Sequence, residues 1–420
     1  MLDLKQIREN PAKFQKELSR KGINPAKIDE LLILDAKYRE ELQKVEKLSA
    51  QQNEVSKKIP QLSGDEKTAL LAKMKEVSAA KKEAEKLLHE AKISRDSILL
   101  ALPNPPHPEA PDGKSDEDNV VLRTEGTKPE FSFTPKEHWE IAEKLDILDT
   151  ERSAKVAGSR FYYLKKELAM LQRALIFWAF TEVAKKGFDP MIPPFLTKVE
   201  AIKGTGYFAH DENYCVIPGE DDLYLIGTSE VPMVSFHAGE ILDLSKPKMY
   251  VSYSPCFRRE AGSYGKDTKG IFRVHQFEKV EMVIFCRPEQ SIELHEKIRE
   301  IEEDLLKQLK IPYQVVNVCC GDLGISAAKK YDLEAWLPGQ GKFREMTSTS
   351  ICTDFQARRL NIRYKDENGK SQFAHILNGT AVSSRPLIAI LENFQQADGS
   401  VLIPEVLRPF CGFAKISPQK

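Results

Sequence analysis

The chain has 420 residues, 41% of them apolar and 30% charged, with a formal net charge of −1. That leaves room for two or three domains and a sizeable core. It excludes a polycation that holds nucleic acid by bulk charge, so any such contact must come from local patches.

No apolar run approaches the roughly 20 residues that span a bilayer, and MLDLKQIREN lacks the apolar core of a signal peptide. Both predict a cytoplasmic protein with no membrane association. Cys215, Cys256, Cys286, Cys319, Cys320, Cys352 and Cys411 form no CxxC pair and no Cys/His cluster at zinc spacing. Free thiols in a reducing compartment are expected, and no zinc site.

In chain order, Leu4, Ile7, Phe14 and Leu18 predict a short packing helix. Two long charged segments follow. In the first, Leu31, Tyr38, Val45 and Gln52 recur every seven residues, with Leu42 and Val55 near the second seam position. In the second, Leu70, Met74, Val77, Lys81, Ala84, Leu88, Ala91, Arg95 and Ile98 step by four and three. Pro60 and Gly64 break the pattern between them, and Asp65 is the expected N-cap of the second helix. The two segments predict an antiparallel coiled-coil hairpin, an arm of about 50 Å at 1.5 Å per residue. Its charges nearly balance, so on residues alone a dimerisation or protein-binding arm fits as well as a nucleic-acid one. Residues 101–118 hold five prolines between 103 and 111 and then an acidic run. They predict a stiff linker between an arm at 1–100 and a domain at 119–420.

From Asn119 strands and helices mix. Phe161–Lys186 reads as an amphipathic helix, followed by KGFDPMIPPFL. Farther on, PCFRREAGSYGKDTKGIFRVHQFEKVE (255–281) reads as a hairpin. Its arms are Met249–Glu260 and Ile271–Phe285, and Gly262, Gly265 and Gly270 occupy the turn region. Period two puts Arg258 and Glu260 on one face, and Arg273, His275, Phe277, Lys279 and Glu281 together. Such a face suits a ligand that is anionic at one end, flat in the middle and cationic at the other. A solvated face laced with salt bridges fits the same alternation.

FRREAGSYGKDTKGIFRVHQFEKVE resembles the second signature motif of class II aminoacyl-tRNA synthetases, in the form found in seryl-tRNA synthetases of bacterial type. LNGTAVSSRPLIAILE (377–392) resembles the third motif, FREMTSTS (343–350) the FREISS-like stretch, and IGTSEVP the amino-acid-binding TSE element. Gly187, Phe188 and Pro194 resemble the weaker first motif, which a helix followed by an edge strand would also mimic. The match covers nearly the whole chain. One departure is NGTAVSSR, where many bacterial relatives read NGS followed by a glycine-rich stretch.

The resemblance implies an α+β protein. A tRNA-gripping N-terminal coiled coil would join a class II catalytic domain on a mainly antiparallel sheet flanked by helices, and the whole would work as a homodimer. It implies ATP-dependent attachment of L-serine to tRNA(Ser), and by family to tRNA(Sec), through seryl-adenylate. Arg258, Arg273 and Arg385 would be catalytic. ATP would meet Arg258, Arg259, Glu260, Val274, Phe277, Glu345, Met346, Thr347, Ser348 and Arg385. Serine would meet Thr228, Ser229, Glu230, Arg258, Glu281, Asn378 and Thr380, with Thr228 and Glu230 expected on one strand face. Glu345 and Ser348 would share Mg²⁺. Lys266 and Lys269, in the Ser263–Lys269 loop, would meet the tRNA acceptor end, although a solvated loop explains them equally.

Overall fold

The structure is a computed structural model and describes residues 1–61, 63–207, 213–217, 222–260, 267 and 269–418. Its backbone divides into two compact units, Met1–Pro105 and Pro106–Lys420.

In the first unit the expected N-terminal helix is two helices, α1 (Leu4–Glu9) and α2 (Pro11–Ser19). Asn10 separates them and caps the second, its Oδ1 accepting from the Lys13 amide at 3.2 Å. Pro11 takes the first helical position, where a missing N–H costs nothing. The long helices are α3 (Ala26–Lys58) and α4 (Gly64–Ala101). The Arg95 guanidinium lies 3.8 Å from the Tyr38 ring centroid, and Lys81 Nζ donates to Gln52 at 3.2 Å. As one residue number rises its partner's falls, so the helices are antiparallel, and all four residues occupy predicted seam positions. Buried Asp35 is held by Arg8 at 3.1 Å and Arg39 at 3.2 Å, the pairing a buried charge requires. Asp65 is not the cap of α4. Ser63 holds that position and Asp65 lies in the first turn, where the helix dipole still favours an acid.

The second unit is built on an eight-stranded sheet. Its strands are β1 (Val120–Glu125), β2 (Asp189–Met191), β3 (Lys248–Phe257), β4 (Gln276–Cys286), β5 (Tyr313–Asn317), β6 (Lys329–Leu337), β7 (Lys342–Thr353) and β8 (His375–Ser383). The order is β1-β5-β6-β7-β8-β4-β3-β2, and every neighbouring pair is antiparallel except β2 with β3. The α+β reading with a mainly antiparallel sheet therefore holds. Strand alternation sorts the two faces. Val280, Met282, Ile284 and Cys286 of β4 enter the main core with residues of helices Lys166–Lys185, Ser291–Gln308 and Arg385–Asn393. Val283 and Phe285 join a second cluster, and Lys279 and Glu281 share their parity.

Three expectations shift. The helix expected over 161–186 starts at Lys166, because Tyr163 and Leu164 pair as a strand with Asp149 and Leu148. The hairpin arms are shorter than read. Arg258 still donates its amide to His275 at 2.9 Å, but Glu260 turns into the left-handed region at φ 50°. Strand alternation therefore places Phe277, Lys279 and Glu281 together but does not extend to Arg258, Glu260, Arg273 or His275; Arg258, Glu260 and Arg273 still line one cleft, and His275 is not in that lining. Lys266 and most of its loop lie outside the described residues.

The second half of the predicted linker is fastened to the second unit. The His107 amide donates to Ala328 and the Cys320 amide to Pro111, both at 2.8 Å. Glu109 accepts from Lys329 at 2.6 Å, and Ala110 is buried among Val318, Cys320, Leu323 and Ala327.

Candidate active site

Two β-bulges aim the side chains of the central strands. Opposite β6, β7 carries one extra residue: Leu333 faces Thr347 and Glu334 faces Glu345, leaving Met346 unpaired. Glu345 and Ser348 are three residues apart and would otherwise point to opposite faces, but the bulge brings both to the same one. In β8 the extra residue is Ala381, since Val280 faces Val382 and Glu281 faces Thr380. Thr380 and Ser383 are thereby turned to one face. The bulge falls within the NGTAVSSR stretch noted in the sequence.

These residues line a cleft of about 640 Å³ in the second unit. Its lining includes Glu230, Glu281, Lys279, Asn378 and Thr380 as well as Arg258, Arg273, Arg385, Phe277, Glu345 and Ser348. Glu230 opens helix Glu230–Ser235. The expectation that Thr228 and Glu230 share a strand face is therefore wrong. The strand ends at Leu225, and the Thr228 hydroxyl accepts from the Glu230 amide at 3.2 Å, a side-chain turn that competes with extended structure. Pro232 is compatible with the first turn of a helix.

Glu230 is only 2% exposed. Its Oε1 accepts from Gln356 at 2.7 Å and Asn378 at 3.0 Å, and its Oε2 from Tyr207 at 2.6 Å. Burial, and then neighbouring Glu281, push its carboxyl above the usual carboxylate value. Burial likewise pushes the Tyr207 phenol well up. Glu281 Oε2 lies 2.5 Å from Lys279 Nζ and accepts from the Thr380 hydroxyl at 3.0 Å. Lys279 also donates to Thr228 at 2.7 Å.

Arg258 donates to the Gly227 carbonyl at 3.0 Å, and its guanidinium is 5.2 Å from the Phe277 centroid. Arg273 pairs with Glu260 at 2.7 Å. Arg385 opens helix Arg385–Asn393 and pairs with Glu345 at 3.1 Å. Desolvation opposes the ionisation of Glu345, but Arg385 and Lys330 outweigh it and hold the carboxyl below the usual range. Asp332 faces Ser348 across β6 and β7 and pairs with Lys330 at 3.0 Å. Burial pushes its carboxyl up.

Most predicted site residues therefore share one cleft. Arg259 is exposed and outside the lining, while Thr228 and Ser229 are buried behind it. Thr347 reaches the lining, but its hydroxyl turns away to donate to buried Glu302 at 3.0 Å. Lys269 lies over the Trp139 ring, 4.4 Å from the centroid. Sequence reasoning gave no role to Lys279, Tyr207, Gln356 or Lys330. Lys279 was legible, since it stands between Phe277 and Glu281 on one period-two face. Tyr207 and Gln356 had no local signal, because only the fold brings them to Glu230.

Residues 1–106 match the model of the seryl-tRNA synthetase N-terminal domain, and residues 213–394 that of the tRNA synthetase class II core domain (G, H, P, S and T). The serine–tRNA ligase of Nocardia farcinica is 48% identical over 419 residues, covering 100% of both chains. That of Thermobifida fusca is 47% identical, covering 100% of this chain and 99% of the relative. Among solved structures, the seryl-tRNA synthetase of Pyrococcus horikoshii complexed with ATP has a TM-score of 0.90 at 44% identity, over 100% of both chains. The cytoplasmic serine–tRNA ligase of Naegleria fowleri with AMP has a TM-score of 0.86 at 34% identity, over 100% of this chain and 99% of that one.

The raised carboxyl of Glu230 makes a stability prediction. Below the usual value of 4.5 the group is protonated folded and unfolded, and costs nothing. Above its raised folded value it must bury a charge, so ionisation opposes folding. Glu230→Gln keeps the shape and lets the amide donate to Tyr207. The variant should melt above the parent at pH 8, with the gain shrinking as pH falls toward 4.5. Thermal scans across pH check this, and a variant that melts lower at pH 8 contradicts it.

Proposed function

The chain belongs to the seryl-tRNA synthetase family of class II aminoacyl-tRNA synthetases, enzymes that join serine to tRNA, and we propose that it works through a seryl-adenylate intermediate. The observation that carries this reading is one cleft lined by Glu230, Glu281, Asn378 and Thr380 together with Arg258, Arg273, Arg385 and Phe277.

The serine carboxylate attacks the α-phosphorus of ATP. The new P–O bond forms as the bond to pyrophosphate breaks, and the electron pair leaves with pyrophosphate. No enzyme nucleophile is needed. The site's task is to align the reactants and stabilise charge on the phosphates. Arg258 holds the α-phosphate and Arg385 the γ-phosphate, with Arg273 beside them. Arginine suits this because it stays charged and binds phosphate through paired hydrogen bonds. Phe277 stacks on adenine, Glu260 accepts from its amino group, and Val274 lies beside the nucleotide. Glu230 faces the serine ammonium, supported by Asn378. Glu281 and Thr380 bind the serine hydroxyl. The adenylate then passes serine to tRNA(Ser) and, where it exists, tRNA(Sec).

Glu345 and Ser348 fit Mg²⁺: both are hard oxygen donors, they share a face, and Glu345 is held ionised. When bound, Mg²⁺ would screen the phosphate charge. Homodimerisation and a cytoplasmic location are part of the proposal. Phe177, Ile192 and Phe236 are 61%, 72% and 55% exposed, apolar surface that a second copy would cover. A solution mass of one chain, 47.6 kDa, would remove the dimer. No helix of the described residues is long and apolar enough to cross a membrane.

The arm grips tRNA through scattered Lys and Arg that read backbone and shape. It belongs to a unit of its own, so the two tasks should separate. A truncated chain should begin at Pro106, because residues 107–111 are bonded into the second unit. It should retain serine-dependent ATP–pyrophosphate exchange while charging of tRNA(Ser) falls by orders of magnitude. In the same assay Arg385→Ala should lose about 10²-fold or more of the exchange, the scale for deleting one preorganised charge-stabilising donor. Undiminished charging by the truncated chain would return the arm to a dimerisation or partner-binding role. Near-normal exchange by Arg385→Ala would make that arginine structural.

A further inference from the structure

We propose that His138 is a positioning residue that sets the spacing between Arg273 and Arg385, two cleft arginines supplied by distant parts of the chain. The proposal rests on the reading that these arginines meet the phosphates of ATP.

His138 is the first residue of helix His138–Lys144, outside every motif that the sequence singled out. Its side chain is 2% exposed and that of its partner, Glu392, is fully buried. The Ile271 amide donates to His138 Nε2 at 3.2 Å. That nitrogen therefore carries no hydrogen, and a neutral imidazole must carry its hydrogen on Nδ1. Nδ1 lies 3.2 Å from Glu392 Oε1, which also accepts from the His138 amide at 3.1 Å. The second oxygen of Glu392 accepts from the Gly339 amide at 2.9 Å. The ring is also wedged against the backbone. Gly270 has φ 72°, and a Cβ there would lie 2.0 Å from Nε2. Only glycine permits that approach. The next residue, Trp139, carries Lys269 over its ring, so two consecutive residues grip positions 269–271.

The contacts close a circuit. Glu392 follows Arg385 by seven residues on one helix, about two turns, so both lie on the same side. Glu392 holds His138, and His138 holds Ile271. Phe272 comes next, and its ring lies 4.7 Å from the Arg385 guanidinium and 3.7 Å from that of Arg344. Arg273 follows and enters the cleft. The segment 271–273 is thus fastened to both ends of the helix that carries Arg385. If the imidazole is lost, the Ile271 amide is left buried without its acceptor, and Arg273 is free to shift relative to Arg385.

Two substitutions separate the halves of the contact. Asparagine can imitate Nδ1 toward Glu392 but places nothing at Nε2. Glutamine can present an oxygen near Nε2 to the Ile271 amide. ATP binding is measured by calorimetry, and KM for ATP and serine by pyrophosphate exchange. His138→Asn should weaken ATP about tenfold, the effect of about one lost buried hydrogen bond, with KM for serine unchanged. His138→Gln should recover most of that loss. Parental ATP affinity in His138→Asn, or equal loss for serine and ATP, would overturn the proposal. Nitrogen NMR of the imidazole in the unaltered protein should find the Nδ1–H tautomer. The Nε2–H tautomer would overturn it even if both variants fail to fold. If the parent lacks serine-dependent exchange, the function has been misread, while the tautomer and ATP calorimetry still decide the role of His138.

Discussion

Two carboxyl groups, those of Glu230 and Glu281, are held out of water in one cleft, and the second raises the cost of ionising the first. Glu281 is offset by Lys279 at 2.5 Å. Glu230 is met by hydrogen bonds from Tyr207, Gln356 and Asn378, which satisfy its oxygens but bring no charge. An isolated buried carboxylate is expensive. On the proposed reading an ammonium at Glu230 would relieve that cost while a hydroxyl meets Glu281 and Thr380, and serine carries both. Alanine brings the ammonium alone and leaves the polar partners unmatched.

Nothing in this arrangement survives without register. The bulge at Ala381 turns Thr380 and Ser383 to one face, and the bulge at Met346 does the same for Glu345 and Ser348. Each is a single extra residue, and deleting either would send half of the local polar set into the core side of the sheet. The opposite face of β4 shows what is at stake. Val280, Met282 and Ile284 are fully buried there and tolerate no polar neighbour without a partner. The same alternation therefore builds the core and aims the site.

Much of this was legible in the amino-acid sequence. The heptads gave the antiparallel pair of long helices because a repeat of seven has few other uses. Period two in FEKVE placed Phe277, Lys279 and Glu281 on one face, as the strand does. The reading failed where side chains overruled periodicity. Thr228 folds back on the Glu230 amide and starts a helix where alternation suggested a strand. Glu260 adopts a left-handed backbone next to an arginine partner, a local conformation that no pattern of hydrophobicity encodes. Bulges are equally silent, since one inserted residue looks like any other. His138 illustrates the last category: its partners lie at Ile271 and Glu392, and only the fold assembles them.

The central claim is that buried charge and one hydroxyl contact choose the substrate. ATP–pyrophosphate exchange measured with each of the twenty amino acids tests it most directly. The account predicts that serine drives exchange, with alanine lower by about 10⁴-fold, the scale on which sites built to bond a hydroxyl reject its absence. Exchange driven by alanine as well as by serine would contradict it.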